Sequence, residues 1–95
     1  MIEISPHSTM PLSAYIDFLA EFEQHAIPAL VYDRIVTMYR IDRKPLKDLF
    51  ESLKTSKILR KSNPLPTRAS TYILTPIGVA ALSGARKAYD DGARL

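Results

Sequence analysis

The 95-residue chain contains no cysteine, three glycines and two histidines. Without thiols there is no disulfide framework, no thiolate metal site and no cysteine nucleophile. Three scattered glycines build no phosphate-cradling loop. His7 and His25 are isolated, and Glu21 and His25, four residues apart, lack the further ligands a metal requires. No serine or threonine has a nearby base that would mark a nucleophile. The sequence therefore predicts no enzyme, no metal and no cofactor. The longest apolar run, Ala26–Tyr32, falls far short of the roughly 18 residues of a membrane span. The stretch Met1–Met10 lacks a basic leader region, so no membrane partner and a cytoplasmic location are expected.

What is present is a core. Hydrophobic residues make up 46% of the chain, enough for a packed globule, and the length suits one domain over residues 1–95. A domain this small buries only about 60–65% of its unfolded surface, which favours association with a second copy. The net charge of +3 is unevenly spread. Residues 1–39 hold one Arg against five acids (−4), residues 40–68 hold nine Lys/Arg against three acids (+6), and the remainder is +1. A basic middle of this kind suits a polyanion.

Seven prolines supply most of the punctuation. After an N-terminal lead-in (1–11), Ser8 or Thr9 is placed to cap a first helix over 12–26. Leu12, Ile16, Leu19, Phe22 and Ala26 recur there at helical spacing, with Tyr15 and Phe18 beside them. This apolar arc of about 160° is wider than one core-facing stripe needs. Pro28 restarts the chain in a second helix, 28–40, whose apolar residues are Leu30, Val31, Ile35, Met38 and Tyr39. Asp42 then caps a third helix, 44–56, in which Leu46, Leu49, Phe50 and Leu53 form an i, i+3, i+4, i+7 stripe. Residues 57–74 read as a hairpin, with strands at Lys57–Lys61 and Thr71–Leu74 and a proline-stiffened tip. Thr75-Pro76 opens a last helix, 76–90, with Ile77, Ala81 and Leu82 inward.

The resulting fold class is α+β, mainly helical. The order helix, helix, helix, strand, turn, strand, helix resembles the winged helix-turn-helix. Leu46–Leu59 (LKDLFESLKTSKIL) is similar to the recognition helix and first wing strand of PadR- and MarR-type regulators. Tyr72–Gly78 (YILTPIG), followed by Leu82, resembles their second wing strand entering the next helix. Lys57 stands where those families usually carry glycine, so a different C-cap is expected. Gly78 removes a side chain where helix and hairpin would pack closely.

This resemblance implies double-stranded DNA as partner, with the third helix in the major groove and the hairpin on phosphates. Opposite the apolar stripe, the helix presents Lys44, Lys47, Asp48, Glu51 and Thr55, flanked by Arg43 and Lys54. Lys44–Asp48 and Lys47–Glu51 are spaced as i, i+4 ion pairs. Asp48 or Glu51 could instead accept from a cytosine amino group. Arg60, Lys61 and Arg68 frame the wing, with Thr67 and Ser70 as neutral phosphate donors. In the last helix Ala80, Gly84 and Ala88 form a small-residue ridge. Together with Leu12, Tyr15, Phe18, Leu19 and Phe22 it is the candidate contact of a homodimer. The favoured reading is a small dimeric transcriptional regulator that binds specific DNA. The alternative is a winged-helix module for a protein partner (an adaptor, antitoxin-like or inhibitor subunit) or a structural part of a replication or partition complex.

Overall fold

The computed structural model describes residues 2–5, 8–62 and 70–93. The chain runs β1 (Ile2–Ser5), β2 (Ser8–Met10), α1 (Leu12–Glu21), α2 (Pro28–Tyr39), α3 (Arg43–Thr55), β3 (Leu59–Ser62), β4 (Thr71–Leu74) and α4 (Pro76–Ala93). The lead-in carries two strands that the sequence reading did not assign. Ile2 pairs with Met10 and Glu3 with Thr9 in an antiparallel hairpin that lies against α3. Because Ser8 and Thr9 belong to that strand, neither caps α1. Pro11 is the N-cap, and its carbonyl accepts from the N–H groups of Ala14 and Tyr15.

Helix α1 ends at Glu21, five residues before the expected boundary. Beyond it the Phe22 carbonyl accepts from the N–H of Leu74 on β4 (2.9 Å), which takes it out of the helical ladder, and Pro28 disfavours helical backbone at Ile27. Ile27 is extended (φ −91°, ψ 118°), and the chain is already extended at Ala26, which exchanges two backbone hydrogen bonds with Tyr72 (3.0 and 2.9 Å). Ala26 thus becomes a third edge of the β3–β4 hairpin, not the last residue of the helical stripe.

Asp42 does occupy the N-cap of α3, but its side chain makes no capping bond. An N-cap oxygen accepts from the N–H of the second or third helical residue, and here the third is Pro45, which has none. The far end of α3 closes on Lys57. The N–H of Ile58 bonds the carbonyl of Leu53 (2.9 Å) and that of Lys57 bonds Lys54 (3.1 Å), the pattern of a Schellman C-cap. Lys57 takes the left-handed conformation (φ 61°) that glycine usually supplies, so the cap is the glycine type built without glycine. Strand β3 consequently starts at Leu59 rather than Lys57.

Strands β3 and β4 pair Leu59 with Leu74, Arg60 with Ile73, Lys61 with Tyr72 and Ser62 with Thr71. The Thr75 hydroxyl then ties three elements together. It accepts from the N–H of Gly78 (3.1 Å), capping α4, and donates toward the carbonyls of Lys57 and Ile58. A Cβ on Gly78 would stand 2.3 Å from the Ile58 carbonyl oxygen, so the close packing expected there is present. Of the three residues expected inward on α4, Leu82 is buried and Ala81 partly so. Ile77 is 57% exposed, because Gly78 rather than its neighbour faces the hairpin.

Every residue of the α3 stripe is buried: Leu46, Leu49, Phe50 and Leu53. They join Met10, Phe18, Leu19, Phe22, Val31, Tyr32, Ile35, Leu59, Leu74 and Leu82 in one core. Phe18, Leu19 and Phe22 have no accessible surface left, so they drop out of the candidate subunit contact. Leu12 and Tyr15 keep partial exposure, whereas Ala80, Gly84 and Ala88 are exposed.

Two substitutions test the junction by urea unfolding. Gly78→Ala is expected to cost about 1–3 kcal/mol, because a rigid backbone carbonyl must move. Lys57→Gly is expected to stabilise by roughly 1 kcal/mol, by relieving the left-handed strain of a residue that carries Cβ.

Candidate nucleic-acid interface

Burial of the α3 stripe sends the opposite face outward. Lys44, Lys47, Glu51 and Thr55 are exposed there and Asp48 is half-buried. The Lys44 ammonium lies 3.6 Å from the Asp48 carboxylate, one of the two expected pairs. The other does not form. Glu51 pairs with Lys54 instead (3.0 Å), leaving Lys47 with no ion pair among the described residues. Lys54 is drawn back because its ammonium sits over the rings of Phe50 (4.9 Å) and Tyr72 (5.9 Å), where the aromatic faces attract a cation. The Thr55 hydroxyl is turned inward to the Glu51 carbonyl (3.0 Å).

Arg43 is also diverted. Its guanidinium bonds Asp33 on α2 at 2.8 Å and lies 5.4 Å from the centroid of the Tyr32 ring. It braces the helix-turn-helix rather than projecting from the outward face. The Tyr32 phenol beneath it is pushed up to about 12 from the ordinary 10, first by burial and then by the negative charge of Glu51. Arg43 opposes that rise and Tyr72 adds to it.

On the hairpin, Arg60 and Lys61 are both exposed. Side chains alternate along a strand, so the register sets Lys61 on the side of its partner Tyr72, toward Lys54, and Arg60 on the opposite side with Ile73. Ser70 is exposed; Thr67 and Arg68 lie outside the described residues. At the Ser62–Thr71 end of the paired strands, His25 Nδ1 bonds the buried Ser62 hydroxyl (2.7 Å), and the Thr71 hydroxyl donates to the Ser62 carbonyl. His25 is thus occupied by structural hydrogen bonding. Among the described residues no three His, Cys, Asp or Glu side chains converge as metal ligands, and no helix is long and apolar enough to cross a membrane.

Two cations escaped the sequence-based site. Arg40, left-handed at the turn between α2 and α3 (φ 53°), and Lys57, at the α3 C-cap, are both exposed at the ends of the outward face. Their membership in the +6 segment was the available signal. Their backbone conformation was not legible, because neither is glycine.

No protein-family model and no curated protein matches the sequence. Solved structures do match. SSV1 F-93 is similar over 95% of this chain and 97% of its own, with a TM-score of 0.66 at 12% identity. Lactococcus lactis ZitR, solved in complex with DNA, gives a TM-score of 0.59 at 11% identity over 96% of this chain and 60% of its own. The adhesin competence repressor AdcR of Streptococcus pyogenes gives 0.59 at 14% identity over 92% and 61%. The chain thus spans nearly all of F-93 but about three-fifths of the other two. ZitR is a zinc-responsive member of the MarR family, one of the two groups the hairpin and third helix resemble.

The Tyr32 shift carries a pH signature. Below pH 10 the phenol is neutral folded and unfolded, so its contribution to stability is complete. Between pH 10 and about 12 the unfolded chain ionises first and that stability is lost. Urea unfolding at pH 9 and pH 11.5 should show this loss, and Tyr32→Phe should reduce it.

Three helices, a two-stranded hairpin lying beside the third of them, and a closing helix, shared with these structures at low sequence identity, make this a winged-helix fold.

Proposed function

We propose that the protein binds double-stranded DNA as a transcriptional regulator, with α3 entering the major groove and the β3–β4 hairpin lying along the phosphates. The observation that carries this reading is the split personality of α3. One face is wholly consumed by the core, while the other is exposed and polar, with Lys47 unpaired among the described residues, and α3 packs beside β3, whose Arg60 and Lys61 are also exposed. The similarity to ZitR, which has been solved with DNA bound, supports the same mode of use. Phosphate contact needs only cations on a protruding element, whereas sequence preference needs side chains that reach base edges. Arg60, Lys61, Lys44 and Ser70 suit the first task, to which the sequence reading also assigns Thr67 and Arg68. Lys47, Asp48 and Glu51, with Arg43 and Lys54 as braces, suit the second.

Regulation of this kind is served by two copies. The exposed Ala80, Gly84 and Ala88 ridge of α4, where nothing lies within 4 Å of a Cβ built on Gly84, and the part-exposed Leu12 and Tyr15 of α1 are the surfaces we assign to that contact. A two-fold arrangement would set the two α3 helices about one DNA turn, roughly 34 Å, apart. The pairing of Lys44 with Asp48 and of Lys54 with Glu51 favours a second reading, in which a protein partner uses the same face.

Fluorescence anisotropy with a random duplex at 50 and 200 mM salt decides between them. DNA binding should weaken steeply with salt, and Arg60→Ala should lower the logarithmic salt slope by about 1 while weakening all sequences alike. No binding at low salt would transfer the basic surface to a protein partner. Sedimentation at micromolar concentration should show a dimer, and a clean monomer would remove the subunit contact.

A further inference from the structure

The outward face of α3 is unusual for a groove-reading helix in what it offers. It presents no Asn, no Gln and no free guanidinium, since Arg43 is held on Asp33 and over Tyr32. Those are the side chains that read adenine or guanine in bidentate fashion. Beside the mutually paired Lys44 and Asp48, the face offers an ammonium at Lys47, unpaired among the described residues, and, one turn on, a carboxylate at Glu51 that is 69% exposed against 43% for Asp48. Lys47 can only donate and ionised Glu51 can only accept. Guanine presents O6 and N7 acceptors in the major groove, and cytosine presents the N4 amino donor.

Glu51 also has a built support. Lys54 holds its carboxylate at 3.0 Å and is itself seated over Phe50 and Tyr72. That arrangement does two things a reading carboxylate needs. It limits the side chain's rotamers, and it places a positive charge beside the carboxylate, offsetting its repulsion by phosphates. Four residues of helix rise span about 6 Å, close to two base-pair steps of about 3.4 Å.

From this arrangement we infer that α3 reads a G·C-containing step, with Lys47 donating to guanine O6 or N7 and Glu51 accepting from the N4 amino group of a cytosine up to two base pairs away. Lys54 acts as the positioning residue for Glu51. The inference rests on the DNA-binding reading above and adds the base composition it selects.

The test is selection of bound duplexes from a randomised pool by the intact chain, followed by competition titration. The wild-type chain should enrich sites with an invariant G·C pair and lose about 5- to 150-fold in affinity when that pair becomes A·T. Glu51→Gln should move the preference at one position from cytosine to adenine, because a glutamine amide pairs with adenine N6 and N7. Lys54→Met, which keeps a long side chain over the two rings, should blunt the cytosine preference, read as the ratio of affinities for the preferred and substituted duplexes so that the lost charge cancels. Wild-type binding with an A·T-rich consensus or no consensus, or a Glu51→Gln variant with an unchanged cytosine preference, would overturn the inference and leave DNA binding intact. Absence of binding to any duplex at low salt would overturn both.

Discussion

The Phe50 ring is the point on which the geometry of the molecule turns. It packs against Phe22 of the α1 C-cap (6.1 Å between centroids), Tyr32 of α2 (6.0 Å) and Tyr72 of β4 (4.9 Å). One side chain of α3 therefore meets the end of α1, α2 and β4 at once. Aromatic pairs of this kind contribute about 0.5–1.5 kcal/mol beyond the area they bury, and they do so only in a narrow set of orientations. Phe18, stacked on Tyr32 and edge-on to Phe22, extends the same cluster one turn further along that face of α1. Since α3 and β4 meet through Phe50 and Tyr72, the outward face of α3 and the exposed hairpin cations keep a fixed mutual angle. The proposed DNA-binding surface takes its shape from that packing.

Charge placement follows the same logic. The basic residues divide into those that the core geometry captures and those it leaves outward. Arg43 is captured by Asp33 and Tyr32, and Lys54 by Glu51 and two rings. Their cost in free charge is offset by rigidity, because each braces a junction: α2 to α3, and α3 to the hairpin. Lys47, Arg60 and Lys61 stay exposed. A surface assembled this way has fewer mobile cations than the +6 segment suggests, and greater geometric definition at those that remain.

Much of this was legible in the residue pattern. The period of Leu46, Leu49, Phe50 and Leu53 specified both the helix and its buried face, and Thr75-Pro76 with Gly78 specified the closing junction. The misreadings came from competition between local signals and long-range ones. Ala26 fits a helical stripe by spacing, yet its backbone is drawn into a bridge with Tyr72, forty-six residues away in the chain. Phe18, Leu19 and Phe22 made the α1 stripe look too wide for a monomer. Helices α2 and α4 pack on α1, and with Phe18, Leu19 and Phe22 already without accessible surface no second subunit is needed to bury them. The pairing of Glu51 with Lys54 in place of Lys47 depends on Tyr72, which no helical-spacing rule includes. Left-handed Lys57 and Arg40 likewise go against residue preference, each closing the end of a helix through backbone hydrogen bonds to its last turn.

The central claim is that the exposed side of α3 and the β3–β4 hairpin form one DNA-binding surface. A titration of the isotopically labelled chain with a short duplex, followed by NMR, tests it residue by residue. The account predicts that amide shifts concentrate at Lys44, Lys47, Asp48 and Glu51 and along Arg60–Ser62, while Phe18, Leu19 and the outer ridge of α4 stay unchanged. Shifts confined to α4, or none in α3 at saturating duplex, would contradict it.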